Sequence, residues 1–119
     1  MLLIDAIYIN TGGGKILLDY LIEELEKTDK QIFYLLDKRI QKEKYVVKST
    51  NVILYLKSGF FDRMNFYKKN KNRFSKVFCF GNIPPPIKLK SDVLTYFQNI
   101  NYISYSKKDF SLKNRFLFF

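Results

Sequence analysis

The chain has 119 residues, 47% of them hydrophobic and 18% aromatic, which is one domain's length and too much apolar material for a disordered protein. It contains no histidine and a single cysteine, Cys79, so a disulfide framework, a Cys/His zinc cluster and a histidine general base are all excluded. The net charge of +10 is lopsided: residues 1–56 hold 8 basic and 8 acidic side chains, whereas residues 57–119 hold 13 and 3, so an acidic partner is expected on the second half.

In chain order, "LLIDAIYI" (residues 2–9) reads as a strand buried on both faces. It lacks a basic flank, and Asp5 interrupts it, so it is not read as a signal peptide; a buried Asp5 needs a hydrogen-bonded partner. From residue 14 to 27 the period becomes helical, with Leu17, Leu18, Leu21, Ile22 and Leu25 on one stripe. "QIFYLLD" (31–37) is a second strand, followed by a polar excursion with a strand fragment at 45–48, and "NVILYLK" (51–57) is a third strand. Residues 59–74 form a basic helix whose apolar side is expected to be Phe60, Phe61, Met64, Tyr67 and Phe74. "KVFCFGN" (76–82) is a fourth strand, stopped by Gly81-Asn82 and three prolines, and 92–99 is a fifth. Residues 109–119 are expected to begin a C-terminal helix. No apolar run approaches the roughly 20 residues of a membrane span, and a reducing cytoplasm is the expected compartment.

Strands alternating with helical patterns predict a single α/β domain over residues 1–119, with a Rossmann-like, doubly wound, mainly parallel sheet. Ligands of such sheets sit beyond the carboxyl ends of the strands. That rule nominates the glycine loop at 10–15, residues 57–60, residues 81–86 and Gln98-Asn99.

"NTGGGKILLDYL" (10–21) joins the first strand to the first helix. It is neither a P-loop, since Lys15 is followed by Ile16, nor a GxGxxG fingerprint, since position 17 is Leu; Asp37 fits the loosely spaced acid of that fingerprint. A phosphate grip and a tight packing turn remain equal readings of the residues. "KKNKNR" (68–73) reads as a solvated helix face in preference to a nucleic-acid stripe, so nucleic acid is not an expected partner. Cys79, between Phe78 and Phe80, reads as a buried inert thiol, and no carboxylates are paired for acid–base work. No catalytic residue, metal site or cofactor is assigned.

Taken together, "IYINTGGGKILLDYLIEEL", "FCFGNIPPP" and "VLTYFQNINYI" resemble the N-terminal half of bacterial retaining glycosyltransferases of the GT-B fold, of the kind that builds capsular and lipid-linked polysaccharides. The likeness spans residues 4–105. It implies an acceptor-side domain in which Gly12, Gly13, Gly14, Lys15, Asn82, Gln98 and Asn99 face an interdomain cleft. A histidine that such enzymes carry in a "YFHN"-like stretch is replaced here by Gln98. The second domain, which in that family binds the nucleotide-sugar donor, does not fall within the 119 residues, so the chain is expected to be inactive alone. The resemblance further implies a lipid-linked or glycan acceptor, an anionic membrane surface near the basic second half, self-association through the aromatic tail, and a place at the inner face of the plasma membrane. The alternatives are a non-enzymatic basic module binding nucleic acid or protein, and a small nucleotide-binding enzyme.

Overall fold

The structure, a computed structural model, describes residues 1–96. Its elements run β1 (Leu2–Ala6), α1 (Gly12–Glu26), β2 (Ile32–Asp37), a short 3-10 turn (Lys38–Ile40), β3 (Val52–Leu56), α2 (Phe60–Asn70), β4 (Lys76–Cys79) and β5 (Asp92–Thr95). The five strands form one sheet in the order β3-β2-β1-β4-β5, and every adjacent pair is parallel. This is the expected Rossmann-like α/β architecture.

The central strands are apolar because both of their faces are covered, and the two-residue period sorts their side chains between two cores. Leu2, Ile4 and Ala6 of β1 join Ile32, Tyr34, Leu36, Phe78 and Phe80 under α1, where Leu18 and Ile22 are buried and Leu17, Leu21 and Leu25 pack beside them. Leu3 and Ile7 join Phe33, Leu35, Val77 and Cys79 on the opposite face, under Phe66, Tyr67 and Phe74 from α2 and the turn after it. Ile87 and Leu89, in the connection to β5, close that second core.

Two expectations change. Residues 45–48 are not a strand; Tyr45 and Val47 pack onto the α1-side core while Val46 is left 93% exposed. The segment occupies the space of a crossover helix and is held by side chains, so alternation there marks one face touching the core without any ladder. The inward stripe of α2 is also rotated from the expected one: Arg63, Phe66 and Tyr67 are buried, and Phe60 and Phe61 face solvent. The reason is a charge, described below. The expected strand continuation beyond residue 96 and the helix at 109–119 lie outside the described residues.

Glu26 fastens the far end of α1. Its carboxylate accepts from Tyr34 Oη at 2.6 Å, Asn51 Nδ2 at 2.6 Å and the Lys48 N–H at 2.7 Å, while Asn51 Oδ1 accepts from the Ile32 N–H at 2.8 Å. Burial works against the charged carboxylate, but these donors outweigh it and hold its pKa below the ordinary glutamate value. A depressed acid stabilises the fold above its unfolded pKa, about 4.3, and loses that contribution as pH falls through its folded value. Glu26→Gln is therefore expected to lower the melting temperature at neutral pH, with the gap to the parent narrowing below about pH 4. Thermal unfolding across an acid series measures this; a gap that stays constant contradicts it.

Candidate functional site

Strand order places a switch point between β1 and β4. The chain leaves β1 over one face through α1 and leaves β4 toward β5 over the other, the arrangement that in open parallel sheets puts a ligand crevice outside the carboxyl ends of the two strands. The walls are the turn after β1, the start of α1 and the loop after β4.

The turn after β1 is held in an uncommon backbone conformation. Tyr8 has φ of 83°, and its N–H donates to Asp37 Oδ2 at 2.9 Å. Asp37, fully buried at the end of β2, also accepts from the Arg39 N–H at 2.9 Å and from Arg39 Nε and Nη2 at 2.9 and 2.8 Å. Burial opposes its charge, yet the Arg39 bonds and the Tyr8 N–H keep its pKa below the ordinary aspartate value. Both oxygens accept two donors each, so this acid is committed to holding the turn and not to a ribose.

Thr11 precedes α1 in an extended conformation and makes no side-chain cap. Gly12 follows with φ of 70°, a region in which an L-residue is strained. Space for a Cβ is open at both Gly12 and Gly13, and both are exposed. Close helix–sheet packing therefore does not account for these two glycines. They leave the first N–H groups of α1 accessible at the positive end of the helix dipole.

Lys15, one turn in, is turned away from that start. It is 7% exposed, and its ammonium donates to Asp19 at 2.7 and 2.9 Å and to Glu43 at 2.7 Å, lying 5.5 Å from the Tyr45 ring centroid. Burial pulls its pKa down, but the two carboxylates more than reverse this and hold it above the ordinary lysine value. Tyr45 Oη donates to Asp19 at 2.6 Å and Tyr55 Oη to the Glu43 carbonyl at 2.9 Å, so this cluster ties segment 43–45 to α1 and β3.

The other wall is fixed by a buried charge pair. Asp5 Oδ2 accepts from Arg63 Nε at 2.9 Å and from Tyr67 Oη at 2.5 Å, and Oδ1 accepts from the Ile7 N–H at 3.2 Å. The same guanidinium reaches out through Nη2 to the Ile83 carbonyl at 2.8 Å and through Nη1 to the Pro84 carbonyl at 2.9 Å. Arg63 thus takes an inward position on α2 because Asp5 needs it there, and it pins the proline loop to β1 in the same stroke. Burial pushes the Asp5 carboxyl above its usual range, with Arg63 and Tyr67 opposing the shift. Cys79 Sγ lies 3.6 Å from Arg63 Nη2 and 3.5 Å from Tyr67 Oη; burial and the Asp5 charge push its thiol up to about 12, so it stays protonated.

Gly81 completes the contact between the walls, since a Cβ there would run into the Ile7 carbonyl. Asn82 follows at φ of 70°. No family model, curated protein or solved structure matches this chain. Its reading rests on the crevice itself.

Of the residues nominated from sequence, Gly12, Gly13 and Gly14 start α1 and Asn82 lies in the loop after β4, so these four follow the carboxyl ends of two neighbouring strands. Lys15 belongs to a separate ionic cluster on the α1 side. Gln98 and Asn99 lie outside the described residues. Tyr8 and Arg63 were not nominated, the only signal being the demand of Asp5 for a partner that Arg63 meets; Asp37 was noted only as the loosely spaced acid of a dinucleotide fingerprint, whereas it holds the Tyr8 turn.

Proposed function

We propose that this chain is the acceptor-side half of a glycosyltransferase of polysaccharide or glycoconjugate biosynthesis, and that it transfers no sugar by itself. One observation supports the reading: "FGNIPPP" is held against the end of β1, by the approach of Gly81 to Ile7 and by Arg63 bridging Asp5 to the Ile83 and Pro84 carbonyls, and "NTGGGK" continues the chain from that same strand end. These are two of the three stretches on which the resemblance stands. The exposed, uncapped start of α1 supplies N–H donors suited to a phosphate or pyrophosphate oxygen of a lipid-linked acceptor. Group transfer needs donor and acceptor held from two sides around one reaction centre. The crevice offers donors on one side, while its nearby acids, Asp5 and Asp37, are engaged in holding the walls. A donor-binding domain supplied in cis or in trans completes the site in this reading.

The test uses two ligand classes. A short-chain polyprenyl pyrophosphate-linked sugar is expected to raise the melting temperature and to shift the amide resonances of Gly12 and Gly13, and a panel of nucleotide-sugars to do neither. Mixtures of both are expected to give no product. Turnover by the purified chain overturns the claim of inactivity. Protection by one defined nucleotide, with shifts in the Gly12 and Gly13 amide resonances, overturns the acceptor-side reading in favour of a nucleotide-binding enzyme. The exposed lysines of α2 favour, as a second reading, a non-enzymatic basic module. Retention of one nucleic-acid sequence over unrelated ones at physiological salt would support it; equal, salt-sensitive retention of all is charge binding only.

A further inference from the structure

β3 ends the sheet on one side, and its outer edge is left unprotected. Among the described residues, the N–H and C=O groups that β3 turns away from β2 have no hydrogen-bond partner. Edge strands are commonly blunted by a charge, a proline or a bulge, whereas this one reads Val-Ile-Leu-Tyr-Leu. Its two faces differ. Ile53 and Tyr55 pack on the α1-side core beside Tyr45 and Val47, and Tyr55 Oη donates to the Glu43 carbonyl. Val52 and Leu54 alternate to the other face, stay 37% and 38% exposed, and belong to neither core. Beside them an open groove of about 360 Å³ separates β3 from α2, and its lining includes Phe33, Leu54, Leu56, Phe66, Lys69 and Arg73.

We propose that two copies of this chain pair through β3, edge to edge and antiparallel about a two-fold axis at Leu54, so that their sheets become one. The free groups of an edge bond to any strand, so the side chains choose the occupant. β3 offers no charge for an acidic or basic strand to read, and its own sequence supplies the apolar complement. About that axis Leu54 meets Leu54, and Val52 meets Leu56 of the second copy, all on the face left open. Lys57 then falls opposite Asn51. The two Lys57 positions stand about 20 Å apart along the strands, beyond the roughly 8 Å over which charges act in physiological salt. Parallel pairing would set them side by side. With five residues per strand the interface is short, so the dimer is weak and concentration-dependent. The proposal rests on neither the sugar-transfer reading nor the aromatic tail.

Sedimentation of the full chain over a concentration series is expected to show a monomer–dimer equilibrium that tightens as salt rises, because apolar contact holds it and the +10 charge of each copy opposes it. Leu54→Lys and Leu54→Glu are each expected to weaken the dimer at least about tenfold, since each sets like charges face to face and removes the central apolar contact. Mixing these two variants is expected to give a dimer tighter than either forms alone, because position 54 faces itself across the axis. In the parent, alternate amides of residues 52–56 are expected to exchange more slowly at high concentration than at low. That measurement needs no variant, so it decides the matter if Leu54→Lys does not fold. The proposal is overturned by a parent that stays monomeric up to about millimolar concentration, or by a mixture no tighter than its components. Exchange that is slow in 52–56 at every concentration overturns it as well, since the edge is then covered within the chain. So does association that Phe118→Ser/Phe119→Ser abolishes and Leu54→Lys leaves intact, which assigns it to the tail.

Discussion

Arg63→Ala is expected to remove about 3–5 kcal/mol of stability in urea unfolding, because it strands the Asp5 carboxylate in the core without its counter-charge. Asp5 is 2% exposed and Arg63 3%, so water does not replace the lost partner as it would at the surface. Tyr67 Oη and the Ile7 N–H remain as donors, which is too little for a carboxylate at that depth. The damage also reaches the crevice, since the Ile83 and Pro84 carbonyls lose the guanidinium that anchors their loop. Faster amide exchange confined to residues 80–89 is the expected local signature. Asp5→Asn/Arg63→Met is expected to be substantially more stable than Arg63→Ala alone, because it removes the charge together with its partner and leaves Tyr67 an acceptor. If the single variant costs under about 1 kcal/mol, comparable to an exposed pair, the charge is not buried as described.

That pair also marks what the sequence could not reveal. The buried strands were readable because a central parallel strand must be apolar on both faces, and residues 2–4, 32–36 and 77–79 are. Asp5 announced that it needed a partner, but the partner lies 58 residues away and no local pattern names it. Without Arg63 as an inward residue, an amphipathic reading of α2 rotates toward Phe60 and Phe61, and that is the error it made. A tyrosine at positive φ has no composition signature at all, since Tyr8 is held there by Asp37 through a long-range bond. Lys15 looked like a loop cation because the acids that neutralise it are one helical turn away and in a distant segment, at Asp19 and Glu43. The crevice was legible at the level of topology, as the carboxyl ends of parallel strands. Its wall geometry arises from tertiary bonds.

The second large effect is expected at Gly81. A Cβ at Gly81 would stand 2.3 Å from the Ile7 carbonyl oxygen, far inside van der Waals contact, and that oxygen belongs to backbone and cannot rotate away. Gly81→Ala must separate the two crevice walls, and a loss of about 3 kcal/mol or more is expected in urea unfolding. Gly12→Ala faces open space and pays only for its φ of 70°, about 1 kcal/mol. Gly13→Ala faces open space with no such φ, so it is expected to be neutral or slightly stabilising, as alanine is the better helix former. This ordering separates the two readings of the glycine loop. If Gly13→Ala keeps the fold but weakens the acceptor analogue, the missing side chain serves a ligand's approach to the start of α1. If it leaves both untouched, Gly12 alone is needed, as a turn. A Gly81→Ala protein as stable as the parent would show instead that the two walls are not in contact, and the crevice would then fail with them.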